Sequence, residues 1–351
     1  MSNVVNKEVS KMKGKQSILF KNPPYIIAAS SVAGKKEGEG PFGHLIDTVH
    51  EDVLLGKDTW EEAESEFMKE AVEKALSKAE LKSEDIRYLL AGDLLGQLIA
   101  TSFGIAELKI PFFGLFGACS TIGEAMSLGA ILIDGNFADK VIAVTSSHFA
   151  SAEKQFRFPL GYGNQRPYSA SWTVTGSGGV VLSNQKGKKI EGATIRIRGI
   201  TVGKIVDYGI KDTMNMGAAM APAACDTIKV HLSDMGIEPT YYDKIITGDL
   251  GYVGSDILID LLKEENIDIS KNHMDCGKEI FDQESQDTHA GGSGCACAAI
   301  TFASYVIKQL QDRKWKRVLL LPTGSLHSKV SYNEGNTMPG IAHGVVIEAE
   351  G

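Results

Sequence analysis

No stretch of this 351-residue chain holds the roughly 18 consecutive apolar residues that a membrane-spanning helix needs, so any membrane contact is expected to be peripheral. The opening MSNVVNKEVSKMKGKQSILF carries lysines but no apolar core of the kind a secretory signal has, and an intracellular location is expected. Positive charge is in short supply: 36 Lys and Arg face 44 Asp and Glu, a net charge of −8, which argues against nucleic acid as a partner. Cysteine is sparse too. Cys119, Cys225, Cys276, Cys295 and Cys297 are scattered and odd in number, as suits a reducing compartment. Cys295-x-Cys297 has no second pair to complete a zinc site, so no metal is expected there. The glycine-rich SSVAGKKEGEGPFG, from Ser30 to Gly43, lacks the lysine and serine or threonine order of a phosphate loop and reads as a flexible surface loop.

What is present is a chain written twice. IRYLLAGDLLG (Ile86 to Gly96) returns as KIITGDLGYVG (Lys244 to Gly254), each an apolar strand-like run ending in Gly-Asp-Leu and each preceded by a helical pattern. GACSTIGEAMSLGAILIDG followed by ADKVIAVTSSH returns as GGSGCACAAITFASYVIKQL followed by WKRVLLLPTGSLH. The spacing grows in the second copy, and the polar ENIDISKNHMDCGKEIFDQES is the expected place for an inserted loop. SGGVVLSNQ and ATIRIRGITVGK read as hairpin strands, as does the closing GIAHGVVIEAE. Helix and strand alternating twice predict an α/β fold of mostly parallel sheets covered by helices, with pseudo-twofold symmetry. The predicted organisation is a polar tail over 1–20, an N-terminal half over 21–190 and a C-terminal half over 191–351.

Gly-x-Cys-Ser at the start of a buried helix, and HAGGSG opening its counterpart, resemble the thiolase and ketoacyl-synthase superfamily. FGACSTIGEAM, SSHFASAEKQFRFPLGYGNQRP, TVTGSGGVVL, GDLGYVG, HAGGSGCACAA and PGIAHGVVIE, in this order, resemble the stage V sporulation protein AD family more narrowly. That resemblance covers nearly the whole chain after about residue 20. It implies a thiolase-like fold of two duplicated α-β-α-β-α halves and a role in binding dipicolinic acid and moving it into the developing spore. It further implies a place at the inner spore membrane beside membrane proteins of the same operon, and a homodimer, which the superfamily usually forms through a sheet edge.

Cys119 is either an acylated nucleophile, a small core residue or a relic beside a pocket. A live thiol needs a lowered pKa, an adjacent base or cation, and oxyanion donors. By resemblance His289 matches a histidine of the superfamily's oxyanion site. The turn where condensing enzymes hold a second histidine or asparagine is Gly248-Asp249 here, and no cysteine stands in NTMPGIAHG. An ionised carboxylate cannot donate to an enolate oxygen and would repel its charge. Two parts of carbon–carbon bond chemistry are therefore missing, which predicts binding without turnover, with Cys119 and His289 vestigial. An acyltransferase or thioesterase-like reaction at Cys119 is the alternative.

Dipicolinate, a flat pyridine with two carboxylates, needs cations or N–H donors and aromatic faces. HFASAEKQFRFPLGYGNQRPYSASW interleaves Lys154, Arg157 and Arg166 with Phe156, Phe158, Tyr162, Tyr168 and Trp172. The expected ligand set is thus Cys119, Ser120, His148, Lys154, Arg157, Arg166, Asp249 and His289. No cofactor is expected unless Ca2+ accompanies the dianion. Asp93 and Asp249 also read as helix caps or as ties between the halves.

Overall fold

The computed structural model describes residues 11–156, 166–187 and 192–351. The chain opens with β1 (Met12–Lys13) and β2 (Ser17–Leu19), then β3 (Tyr25–Gly34), α1 (Lys35–Gly38) and β4 (Thr48–His50). The N-terminal half continues with α2 (Trp60–Ala79), β5 (Tyr88–Gly92), α3 (Ile99–Ile105), β6 (Phe112–Gly114) and α4 (Thr121–Asp134). It closes with β7 (Lys140–Ser147), α5 (Phe149–Phe156), β8 (Trp172–Thr173) and β9 (Gly176–Ser183). The C-terminal half begins with β10 (Thr194–Thr201), α6 (Met216–Met235), β11 (Lys244–Thr247), α7 (Gly251–Glu264), β12 (His273–Asp275) and α8 (Cys276–Glu279). Then come β13 (Gly292–Ser293), α9 (Cys295–Thr301), α10 (Ile307–Gln311) and β14 (Arg317–Leu321). The chain ends through β15 (Thr323–Ser325), α11 (Lys329–Asn333), β16 (Gly340–Ala342) and β17 (Gly344–Glu350).

The duplication is visible in the strand order, β12-β11-β14-β17-β10-β3-β9-β7-β5-β6. Counting outward from the β10–β3 junction, β17 mirrors β9, β14 mirrors β7, β11 mirrors β5 and β12 mirrors β6. In each half the outer three strands run parallel, and the inner ones pair antiparallel. The sheets are therefore mixed rather than mostly parallel. The stretches read as a hairpin separate: β9 lies between β3 and β7, whereas β10 pairs with β17 and β2. Burial on both faces explains why β5, β7 and β9 are continuous apolar or small-residue runs instead of alternating ones.

Helices form three layers. Thr59 starts α2 with a capping box, its hydroxyl accepting from Glu62 N at 3.2 Å while the Glu62 carboxylate accepts from Thr59 N at 3.1 Å. That helix covers one face of the N-terminal sheet, and α6 with α7 covers the far face of the other. Between the sheets lie α4 and α9, which touch each other and each reach the opposite half: α4 meets β17, and α9 meets β3, β7 and β9. One apolar cluster runs through this layer from Leu90, Ile122 and Met126 to Phe302, Val318 and Ile347.

Three other expectations change. Residues 17–19 are no tail: β2 pairs with β10 and adds to the C-terminal half's sheet, while Phe20 is buried. The stretch from Ser30 to Gly43 is no flexible loop either, since Ser30 to Gly34 complete β3 and Glu37 is buried, its carboxylate accepting from Thr175 N at 2.9 Å. The polar stretch after Glu264 holds β12 and α8, with Met274, Cys276, Ile280 and Phe281 in the core. Four well-spaced apolar residues among many polar ones were too weak a signal.

The halves meet closely where Gly324 of β15 faces the turn before α4. A Cβ on Gly324 would stand 2.2 Å from Gly117 O, so backbone would have to move. Gly324→Ala is expected to cost about 1–3 kcal/mol, read as a lower melting temperature; an unchanged melt would show that this approach is loose.

Candidate functional site

Cys119 sits two residues before α4, at the centre of the molecule. The bend that places it requires Ala118 at a φ of 50°, a left-handed conformation that costs a non-glycine residue about 1–2 kcal/mol. Local hydrogen bonds hold the bend: Ser120 Oγ donates to Gly117 O at 2.7 Å, Thr121 Oγ1 to Ala118 O at 2.6 Å, and Gly117 N donates to Thr121 Oγ1 at 3.0 Å. Ser120 is thus fully buried in the turn and absent from the cavity wall.

The partner of the thiol is a carboxyl group. Asp249, in the turn after β11, shares a hydrogen bond with Cys119. Its Oδ1 accepts from Thr323 Oγ1 at 2.7 Å and its Oδ2 from Gly294 N at 3.2 Å. Burial, only partly offset by these donors, lifts the Asp249 carboxyl to about 7. The thiol is raised well above its ordinary value, first by burial and then by the charge of Asp249. The Gly294 N–H that would steady a thiolate is shared with the carboxylate. At neutral pH the sulfur keeps its proton, and this site holds the opposite electrostatics to an activated cysteine.

Around the sulfur lies a cavity of about 40 Å3, walled by Leu94, Phe116, Phe156, Thr173, Ser293 and His327 among others. That is room for roughly three waters. It continues into an outer groove of about 280 Å3 that shares Leu94, Phe116, Phe156 and His327. His327 is held by Ser325 Oγ at 3.2 Å from Nδ1 and packs 5.5 Å from the Phe156 ring.

The other expected ligand residues disperse. His148 is buried: its Nδ1 accepts from Ala150 N at 3.1 Å and its Nε2 reaches Val53 O at 2.9 Å. These partners fix an Nε2-protonated ring, and burial lowers its pKa. It is a structural histidine. Lys154 pairs with Glu61 at 2.7 Å on the surface, because residues 152, 153 and 156 of the same helix face the cavity and 154 faces away. Arg166 and His289 do come together, through Asp287: Arg166 Nη2 reaches Asp287 Oδ2 at 3.3 Å and His289 Nε2 reaches Oδ1 at 3.0 Å. Arg166 also lies 4.8 Å over Trp172, and His289 Nδ1 donates to Pro167 O at 2.9 Å. This group stands apart from Cys119, and neither residue lines the cavity. His289 therefore supplies no donor beside the sulfur. Arg157, Phe158 and Tyr162 lie outside the described residues.

Asp93, the counterpart of Asp249, serves as a cap: its carboxylate accepts from Leu95 N at 2.7 Å and from Thr101 N at 2.8 Å, at the start of α3. Phe116 and His327 were not singled out by sequence reasoning. For His327 the signal was the duplication, since it follows β14 much as His148 follows β7.

The family model described as Stage V sporulation protein AD matches residues 14–348. This chain belongs to the stage V sporulation protein AD family. A relative of that name from Bacillus subtilis (strain 168) is 46% identical over 341 residues, spanning 97% of this chain and 99% of that protein. A role in sporulation follows from that membership. Among solved structures, cerulenin-bound OleA of Xanthomonas campestris superposes with a TM-score of 0.57 at 17% identity, over 93% of this chain and 97% of that one. The 3-oxoacyl-[acyl-carrier-protein] synthase III of Aquifex aeolicus VF5 gives 0.53 at 15% identity, over 93% and 99%. The fold is accordingly thiolase-like, with two layered halves as expected.

Asp249 binds a proton in the folded protein up to about pH 7, whereas an unfolded aspartate releases it near its ordinary 3.8. Its stabilising contribution is therefore full below about pH 4 and lost as pH rises through 7. Asp249→Asn should lose less stability than the wild type between pH 5 and 8, by a few kcal/mol in order of magnitude, and its Cys119 should alkylate faster. Parallel stability profiles from chemical denaturation would refute the assignment.

Proposed function

We propose that the chain is a non-catalytic binding protein for dipicolinate, acting in uptake of that diacid into the developing spore. The supporting observation is the Cys119–Asp249 pair: a protonated thiol beside a carboxyl group, with no imidazole in reach except His327 across the cavity. Such a pair neither generates a thiolate nor stabilises an enolate, yet the hollow around it persists. Asp249 lies behind Cys119 and does not line the cavity itself; its proton keeps it from repelling a ligand carboxylate held there. Ser293, Thr173 and Ser325 add hydroxyls, while Phe116, Phe156 and His327 offer ring faces toward the outer groove. Arg157 directly follows Phe156 in sequence and is the cation we assign to the second carboxylate. Calcium is proposed as an optional companion of the dianion.

Binding is expected in calorimetry of the purified protein with dipicolinate, with and without calcium. Phe156→Ala and His327→Ala should each weaken it at least tenfold, about 1.4 kcal/mol, and Cys119→Ala should weaken it less. Affinity should fall as pH rises through 7, because Asp249 then ionises and repels the ligand; Asp249→Asn removes that fall. Absence of binding at millimolar dipicolinate by a folded sample would overturn the reading.

One observation favours a second reading: a carboxylate with a pKa of about 7 is well placed to take the thiol's proton during attack on an acyl group. Intact-mass analysis after incubation with acyl-coenzyme A separates the two, since an adduct of one acyl group on Cys119 is expected only for an acyltransferase or thioesterase.

Among the described residues no helix is long and apolar enough to cross a membrane. We place the protein peripherally at the inner membrane of the forespore, beside membrane-embedded stage V sporulation proteins. We also propose a homodimer through β6, an edge strand whose Phe112 and Phe113 are exposed, as is Phe116 just after it. Phe113→Asp should convert the dimer to a monomer in sedimentation analysis; a wild-type monomer would remove this interface.

A further inference from the structure

A second concave site lies at the other end of β14 from the cavity. Arg317 opens that strand, and with Arg198, Arg313, Lys316 and two glutamates, Glu348 and Glu350, it lines an open cleft of about 680 Å3. In a chain of net charge −8 this is a local excess of cations.

The nearby carboxylates are already engaged. Glu348 takes Arg198 Nε at 3.2 Å on one oxygen and Tyr241 OH at 3.3 Å on the other. Glu350 is shared between Arg196 and Arg198, each at 3.6 Å. Asp312 pairs with Lys308 at 2.8 Å. Asp243 accepts the backbone N–H groups of Lys316 and Arg317 at 2.7 and 2.8 Å, which pins the turn that presents them. Among the described residues, Arg313, Lys316 and Arg317 are left without an ion pair.

Arg317 is the best organised of the three. Its guanidinium carbon lies over the Tyr241 ring, 4.0 Å from the centroid, and its Nε is buried with no hydrogen-bond partner. A buried N–H without an acceptor costs about 1–3 kcal/mol, so the guanidinium is left short of acceptors. A planar fork held over an aromatic ring, with an arginine and a lysine in the same cleft wall, matches a group with several charged oxygens.

We propose that this cleft binds a phosphate-bearing ligand, its oxyanion held by Arg313, Lys316 and Arg317. The same chemistry is offered by a free phosphate compound and by the headgroup of an anionic phospholipid. The proposal is independent of the dipicolinate reading, because the cleft and the cavity share no wall residue.

The full chain would be titrated with pyrophosphate by calorimetry at low salt. It would also be sedimented with phosphatidylcholine vesicles, with and without phosphatidylglycerol. The double substitution Arg313→Glu with Lys316→Glu changes two exposed side chains and should fold. Arg317→Gln removes the fork without reversing charge. Each variant is expected to lose at least tenfold in affinity while its melting temperature stays near that of the wild type. Pyrophosphate binding lost in both variants identifies a free phosphate compound as the source. Binding confined to phosphatidylglycerol vesicles, and lost in both, identifies the headgroup. Absence of both kinds of binding, or binding that both variants retain, overturns the proposal.

Discussion

A single buried carboxyl group holds the centre of this molecule together. Asp249 belongs to the second copy of the duplicated unit, and it grips Cys119 of the first copy, Thr323 after β14 and the backbone at the entrance to α9. Burying an ionised aspartate without a cation is costly, so the group is neutralised by a shared proton and by three donors. Everything near the sulfur inherits that solution: the thiol is kept uncharged, and the Gly294 N–H is occupied.

The same constraint separates this chain from the enzymes it resembles in shape. An imidazole beside a cysteine can accept the thiol's proton and become a cation that steadies the sulfur; a carboxyl group that accepts it only returns to neutrality. On the binding reading proposed above, the site contributes its shape and a set of neutral donors. Those features are suited to recognition of a carboxylate ligand, and they are the physical basis for reading the family's sporulation role as one of binding.

Much of the fold could be seen in the chain itself, because duplication leaves a strong mark: Gly-Asp-Leu after β5 and β11, small residues before α4 and α9. The Cys119–Asp249 pairing was half legible, as two unusual residues whose contact only the packing of the halves could establish. The remainder of the site was not. Trp172 and Thr173 are neighbours, yet alternation along β8 sends Thr173 to the cavity and leaves Trp172 with Arg166 behind the wall. His148 and His327 follow equivalent strands, and only the backbone around each decides that one is tied off and the other faces the hollow. Cations and aromatics close together in sequence were expected to converge on one ligand; among the described ones, Phe156 reaches the cavity while Lys154, Arg166 and Trp172 do not.

The middle layer of helices has a bearing on how the protein is made. The N-terminal sheet is complete in sequence at Ser183, but one of its faces is covered by α9, which is more than a hundred residues further along. During synthesis α4 alone can cover that face until α9 has left the ribosome. The two copies are interlocked through this layer despite their common design. The nascent intermediate, with the α9 side of its sheet only partly covered, is where chaperone dependence and aggregation of this protein would concentrate.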